Sequence, residues 1–97
     1  MIRKRRFEWH PPKAEKNRRV HGICFELAKL AFDDVFAKTE IEGYEHGEER
    51  WRTTGAVGAA LIVICHTARE EGETEIIRII SARRAEPDER RRFEEEA

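Results

Sequence analysis

Two short apolar runs, residues 59–64 and 76–82, limit the folds open to this chain more than any other feature. Ala60-Leu61-Ile62-Val63-Ile64 is too short for a typical globular helix and dense in β-branched residues, which predicts a strand. Ile76-Ile77-Arg78-Ile79-Ile80 repeats that composition after a polar connection over residues 69–73, where Gly72 supplies the dihedral freedom of a turn. The pair reads as an antiparallel hairpin. Arg78 interrupts the isoleucines. A period of two puts it on one face with Ile76, Ile80 and Ala82, and puts Ile77, Ile79 and Ser81 on the other. A guanidinium so placed must meet water, a carboxylate or an anion, because burying it unpaired costs several kcal/mol or more.

The rest of the chain is short, 97 residues, which predicts one domain with a small core. Nineteen basic against twenty acidic residues leave a net charge of −1, which argues against a simple basic nucleic-acid coat. The charge is nevertheless segregated. Arg3-Lys4-Arg5-Arg6, Lys13, Lys16, Arg18 and Arg19 make the start basic, residues 40–49 and Glu94-Glu95-Glu96 are acidic, and Arg83-Arg84 and Arg90-Arg91-Arg92 return positive charge. Cys24 and Cys65 form neither a ligand-spaced motif nor a disulfide framework, which points to a reduced, cytoplasmic setting. The basic start runs into Phe7-Glu8-Trp9-His10-Pro11 rather than a signal-peptide apolar stretch, and no apolar run is long enough to span a membrane.

In order, residues 2–9 predict a short edge strand ending at Pro11-Pro12. Pro12 suits the first turn of a helix to about Val20, with Gly22 as its stop. A second helix is expected over residues 25–32, a strand over 35–41, and a polar loop over 42–47. Residues 48–54 alternate, sending Glu48, Arg50, Arg52 and Thr54 one way and Glu49, Trp51 and Thr53 the other, with Trp51 marking the core. Gly55-Ala56-Val57-Gly58 is expected to turn into the central hairpin, and Pro87 to open a last helix to about Glu95. The outline is α+β: a small antiparallel sheet, two N-terminal helices and a C-terminal helix, with helices mainly on one face and the other open to solvent.

The order of these features resembles the BrnT family of toxins from type II toxin–antitoxin modules. The likeness is carried by Phe7-Glu8-Trp9, Lys13, Asn17, His21-Gly22, Phe25-Glu26 and Asp33-Asp34. It continues through Glu49-Arg50, Thr67, Arg69, Ile79-Ile80-Ser81-Ala82-Arg83, Glu89-Arg90 and Phe93. The resemblance implies a RelE-like ribonuclease fold, RNA cleavage without a metal or other cofactor, and growth arrest by the free toxin. It also implies neutralisation by a cognate BrnA-type antitoxin, whose complex with the toxin contacts operator DNA through the antitoxin. The chain departs from the family pattern at His10, where aspartate is common, at Val20 (lysine), at Cys24 (serine) and at Phe93 (tyrosine).

Cleavage by internal attack needs a base for the 2′-hydroxyl, cations for the phosphate charge and a proton for the leaving 5′-oxygen. Arginine meets the second need, because its fork matches phosphate oxygens and stays charged. The catalytic candidates are Arg50, Arg69 and Arg78, with Glu49 as the carboxylate, although its alternation phase opposes Arg50. His21, His46 and His66 are alternative proton carriers. Lys13, Asn17, His21, Arg83 and Arg84 are candidates to follow an RNA backbone, with a solvated charged face, for Asn17 also the tethering of a loop, and for His21 helix-end capping or packing, as the structural alternatives. A zinc site from His21, Cys24, Cys65 and His66 has the wrong spacings, so no metal is expected. The alternative function is a non-catalytic RNA- or protein-binding module within a repressor complex. DNA binding by this chain alone is not expected, since no helix-turn-helix is present.

Overall fold

The computed structural model describes residues 4–97; the expected strand residues Ile2 and Arg3 lie outside them. The elements are β1 (Lys4–Trp9), α1 (Pro11–His21), α2 (Phe25–Ala28), β2 (Lys38–Glu45), β3 (Glu48–Val57), β4 (Ala60–Glu71), β5 (Thr74–Arg84) and α3 (Pro87–Glu96). The sheet order is β1-β5-β4-β3-β2. Strands β2 to β5 form the expected antiparallel meander. β1 instead lies parallel to β5, from Lys4 beside Thr74 to Trp9 beside Ile79, so the sheet is a mixed one of five strands and not a small antiparallel one. The helical segments carry the chain from β1 at one edge of the sheet to β2 at the other, and the meander then brings β5 back beside β1.

The β4–β5 hairpin is longer and tighter than expected. Both strands continue through the polar residues to a two-residue turn at Gly72-Glu73, with Gly72 at φ 62°. The polar stretch after Ile41 is likewise strand, not loop. β2 bulges between Ile41 and Gly43, continues to Glu45, and turns at His46 and Gly47, both at positive φ. That pair of dihedrals matches the right-handed twist of the flanking strands.

Alternation along β5 breaks at Ile80. Cys65 pairs with Ser81 while the next residue, His66, pairs with Ile79, so Ile80 is an extra residue on β5. Ala82 therefore joins Ile77 and Ile79 in the core rather than sharing the face of Arg78. That core also takes Ile23, Phe25, Ala28, Ala31, Ile62 and Ile64, with Phe7 and Trp9 of β1 packed against it.

The second helix gives way after Ala28 to a 3-10 turn, Lys29–Asp33. The tighter winding carries Ala31 onto β3. A Cβ at position 55 would stand 2.3 Å from the Ala31 carbonyl oxygen, so Gly55 is a packing requirement within β3 and not part of a turn. Asp34 completes this contact, accepting the Ala56 N–H at 2.8 Å. α3 lies by the sheet face that carries Glu40, Arg52 and Thr54, opposite the core. Helices thus occupy both faces, and only part of the arginine face stays uncovered. A capping box between Glu86 and Glu89, with Pro87 in the first turn, starts α3 where the sequence expects it. Among the described residues no helix is long and apolar enough to cross a membrane.

Candidate active site

β5 sets the site. Arg78 lies in register between Glu8 of β1 and Thr67 of β4, and its half-buried side chain leaves the sheet opposite the core isoleucines. On β3, Arg50 precedes Trp51, a half-buried residue that borders a cleft on the helix side rather than joining the core, so alternation sends Arg50 to the face of Arg78. The two guanidinium groups meet at one carboxylate. Arg78 Nη2 donates to Glu48 Oε1 at 2.8 Å, and Arg50 Nη2 stands 3.9 Å from the same oxygen. The Arg78 hydrogen bond holds the Glu48 carboxyl below the ordinary carboxylate range, with the Arg78 and Arg50 charges adding to it.

Arg50 is the less satisfied of the two. Its side chain is 13% exposed, its second carboxylate, Glu45, is 3.6 Å away, and its buried Nε has no hydrogen-bond partner among the described residues. Arg50, Arg78, His10, Lys13, Ile79 and Ile80 border a cleft of about 440 Å³. A neighbouring cleft of about 320 Å³ shares Lys13 and Ile80 and extends along α1 past Lys16 and Val20 to His21. Together they form a groove from the arginine pair along the basic side of α1.

Other sequence candidates sit elsewhere or are already engaged. Arg69 lies on the arginine face, but Glu8 takes its Nη1 at 2.7 Å and Glu71 its Nε at 3.1 Å. The hydrogen bond from Arg69 is the main reason the Glu8 pKa is lowered. Glu49 borders a different cleft, with Trp51, His66 and Phe32 on the helix side, and does not meet Arg50 or Arg78. Arg83 forms a fork with Glu89 at 2.7 and 2.9 Å, which anchors the start of α3. Arg84 is exposed, and His46 sits at the β2–β3 turn.

Asn17 faces inward. Beyond Trp9 the edge of β5 has no strand neighbour among the described residues, and Asn17 of α1 takes that place. Its Nδ2 donates to the carbonyls of Ala82 (2.8 Å) and Ile23 (3.0 Å), while its Oδ1 accepts the Ala82 N–H at 3.0 Å. It is 5% exposed, so its amide ties the α1–α2 connection to the sheet, the tethering alternative raised from sequence.

His66 is buried in a hydrogen-bond chain. Its Nδ1 can only donate to the Thr67 carbonyl (3.2 Å), so Nε2 accepts the Thr53 hydroxyl (2.7 Å), which in turn accepts from Thr39 (2.8 Å). Burial lowers its pKa, and neither nitrogen is free. Burial, with a contribution from Glu42, pushes the Cys65 thiol up to about 11. Among the described residues no three His, Cys, Asp or Glu side chains gather as a metal site.

The sequence reading passed over two residues of this site, Glu48 and His10. Glu48 was legible from its shared alternation phase with Arg50. His10 has the phase of Glu8, but only the β1–β5 register shows that this phase leads to Arg78.

Residues 9–89 match the family model of the ribonuclease toxin BrnT of type II toxin–antitoxin systems. The chain belongs to the BrnT family. The match runs from the end of β1 into α3 and includes Arg50, Arg78 and the whole groove. BrnT membership makes the chain the ribonuclease toxin of a toxin–antitoxin pair, and so implies an antitoxin partner. No curated protein matches the sequence.

Proposed function

We propose that this BrnT chain is a metal-independent endoribonuclease that holds the scissile phosphate between Arg50 and Arg78. The observation carrying the proposal is the convergence on one exposed carboxylate, Glu48, of two guanidinium groups that border the same cleft. A site that gathers two arginines around a carboxylate offers fork-shaped donors to a phosphate. Displacing Glu48 leaves those donors for the substrate.

In the proposed step the 2′-oxygen attacks phosphorus and loses its proton, the P–O5′ bond breaks, and the 5′-oxygen gains a proton. The products are a 2′,3′-cyclic phosphate and a 5′-hydroxyl. Arg50 and Arg78 stabilise the charge that builds on the phosphoryl oxygens, the kind of preorganised electrostatics that dominates such catalysis. Lys13, Lys16 and His21 follow the RNA backbone along the groove. Arg69 positions Glu8 beside Arg78, and Glu49 stays outside the reaction.

On this reading the fold is a RelE-like variant and the toxin acts in the cytoplasm. A cognate BrnA-type antitoxin silences it by covering the cleft, and operator DNA is met only through that complex. The test is incubation of the purified full chain with a defined RNA in the presence of a chelator, with product ends identified. Cyclic phosphate ends are the expected result. Salt-dependent binding without turnover would instead make the chain a non-catalytic binding module.

A further inference from the structure

Among the described residues that border the cleft of Arg50 and Arg78, one side chain, His10, is able to accept a proton. We infer that His10 takes the proton from the 2′-hydroxyl and that Lys13 gives one to the leaving 5′-oxygen; the inference rests on the function proposed above.

His10 follows directly on β1 in extended backbone, φ −86° and ψ 117°. Trp9 turns to the core, its ring 5.8 Å from that of Phe25, so Glu8 and His10 share the opposite direction. The in-register partner of Glu8 is Arg78. The α1 cap uses only the His10 backbone: its carbonyl accepts the N–H groups of Lys13 (2.9 Å) and Ala14 (3.1 Å), and its side chain makes no capping bond. The imidazole is exposed, has no capping role, and borders the same cleft as both arginines.

The competing acceptors are placed elsewhere or weakened. His66 has both nitrogens bonded in the core, His21 borders the next cleft, His46 sits at the β2–β3 turn and does not border the cleft, and Glu49 lies by the opposite face. Glu48 and Glu8 are close, but the hydrogen bonds they accept from Arg78 and Arg69 depress their basicity, which suits an acceptor poorly near neutral pH. Arginine does not give up its proton. That leaves imidazole, the side chain whose proton exchange is suited to neutral pH, and the Lys13 ammonium as donor. The step balances: O2′–P forms, P–O5′ breaks, His10 gains a proton, Lys13 loses one, and solvent restores both.

The charged groups around His10 are Lys13 from α1, Arg78 from β5, Glu8 from β1, and Arg50 with Glu48 from β3. Single-turnover cleavage should therefore be followed against pH for the full chain and for His10→Asn, His10→Asp and His10→Gly, alongside RNA binding. We expect His10→Asn to cleave about 10²- to 10⁴-fold more slowly, the usual contribution of a positioned acid or base, with binding retained. The acid limb of the profile should vanish in His10→Asn and move to lower pH in His10→Asp. Free imidazole should partly restore His10→Gly. Wild-type cleavage together with an unaltered rate and profile in His10→Asn overturns the inference alone. A wild-type chain that yields no cyclic phosphate at any pH overturns the proposed function and the inference with it.

Discussion

Arg78 on β5 reaches across β4 to donate to Glu48 at the first position of β3, Nη2 to Oε1, at 2.8 Å. The bond places a fixed negative charge where the proposed phosphate would sit, and Arg50 stands 3.9 Å from the same oxygen. Substrate must displace that charge. Glu48→Gln should accordingly tighten RNA binding by about threefold, the size of an exposed ion pair, at fixed salt. Fluorescence anisotropy with labelled RNA measures it, and weaker binding would show that Glu48 organises the site rather than competes for it.

Asn17 fills the role of a missing strand at the edge of β5. Asn17→Ala leaves buried backbone groups of Ala82 and Ile23 unpaired, which should cost about 2–4 kcal/mol in urea unfolding. Asn17→Asp should cost at least as much, since it sets a carboxylate against two carbonyl oxygens. A residue serving only RNA contact would give unchanged unfolding and weaker binding.

The Arg83–Glu89 fork ties α3 to β5 and lowers the Glu89 carboxyl to about 2. Because the folded pKa lies below the unfolded value near 4.5, this stabilisation is complete above pH 4.5 and is lost as pH falls toward 2. The Glu89 side chain is 18% exposed, and with solvent screening the pair is worth about 1–2 kcal/mol. Glu89→Gln should remove that part of the acid-limb slope in melts taken between pH 5 and 2. His66 acts in the same direction at higher pH. Its folded pKa is below the unfolded 6.5, so stability also declines as pH drops beneath that value.

Much of the fold could be read locally. The β-branched runs and Gly72 mark the central hairpin, Gly22 and Pro11-Pro12 bracket α1, and the Trp51 phase orients β3. What escaped depends on distant partners. Nothing near residues 4–9 encodes a parallel pairing with residues 74–79, and nothing near Ile80 signals that one extra residue will carry Ala82 into the core. Gly55 looked like a turn because its reason, the Ala31 backbone, is 24 positions away in sequence. The site follows the same rule. A lone arginine among isoleucines made Arg78 a candidate, but its Glu48 partner, like the carboxylate partners of Arg69 and Arg83, is visible only in the fold.

The account depends on one phosphate held by two guanidinium groups from β3 and β5. Its most direct test is the single-turnover rate of RNA cleavage by folded Arg50→Ala, Arg78→Ala and Arg69→Ala chains. Arg50→Ala and Arg78→Ala should each lose about 10²- to 10³-fold, the loss seen when a preorganised donor to transition-state charge is removed. Arg69→Ala should stay within about threefold of wild type, as for a surface ion pair. Undiminished cleavage by both Arg50→Ala and Arg78→Ala would contradict the account.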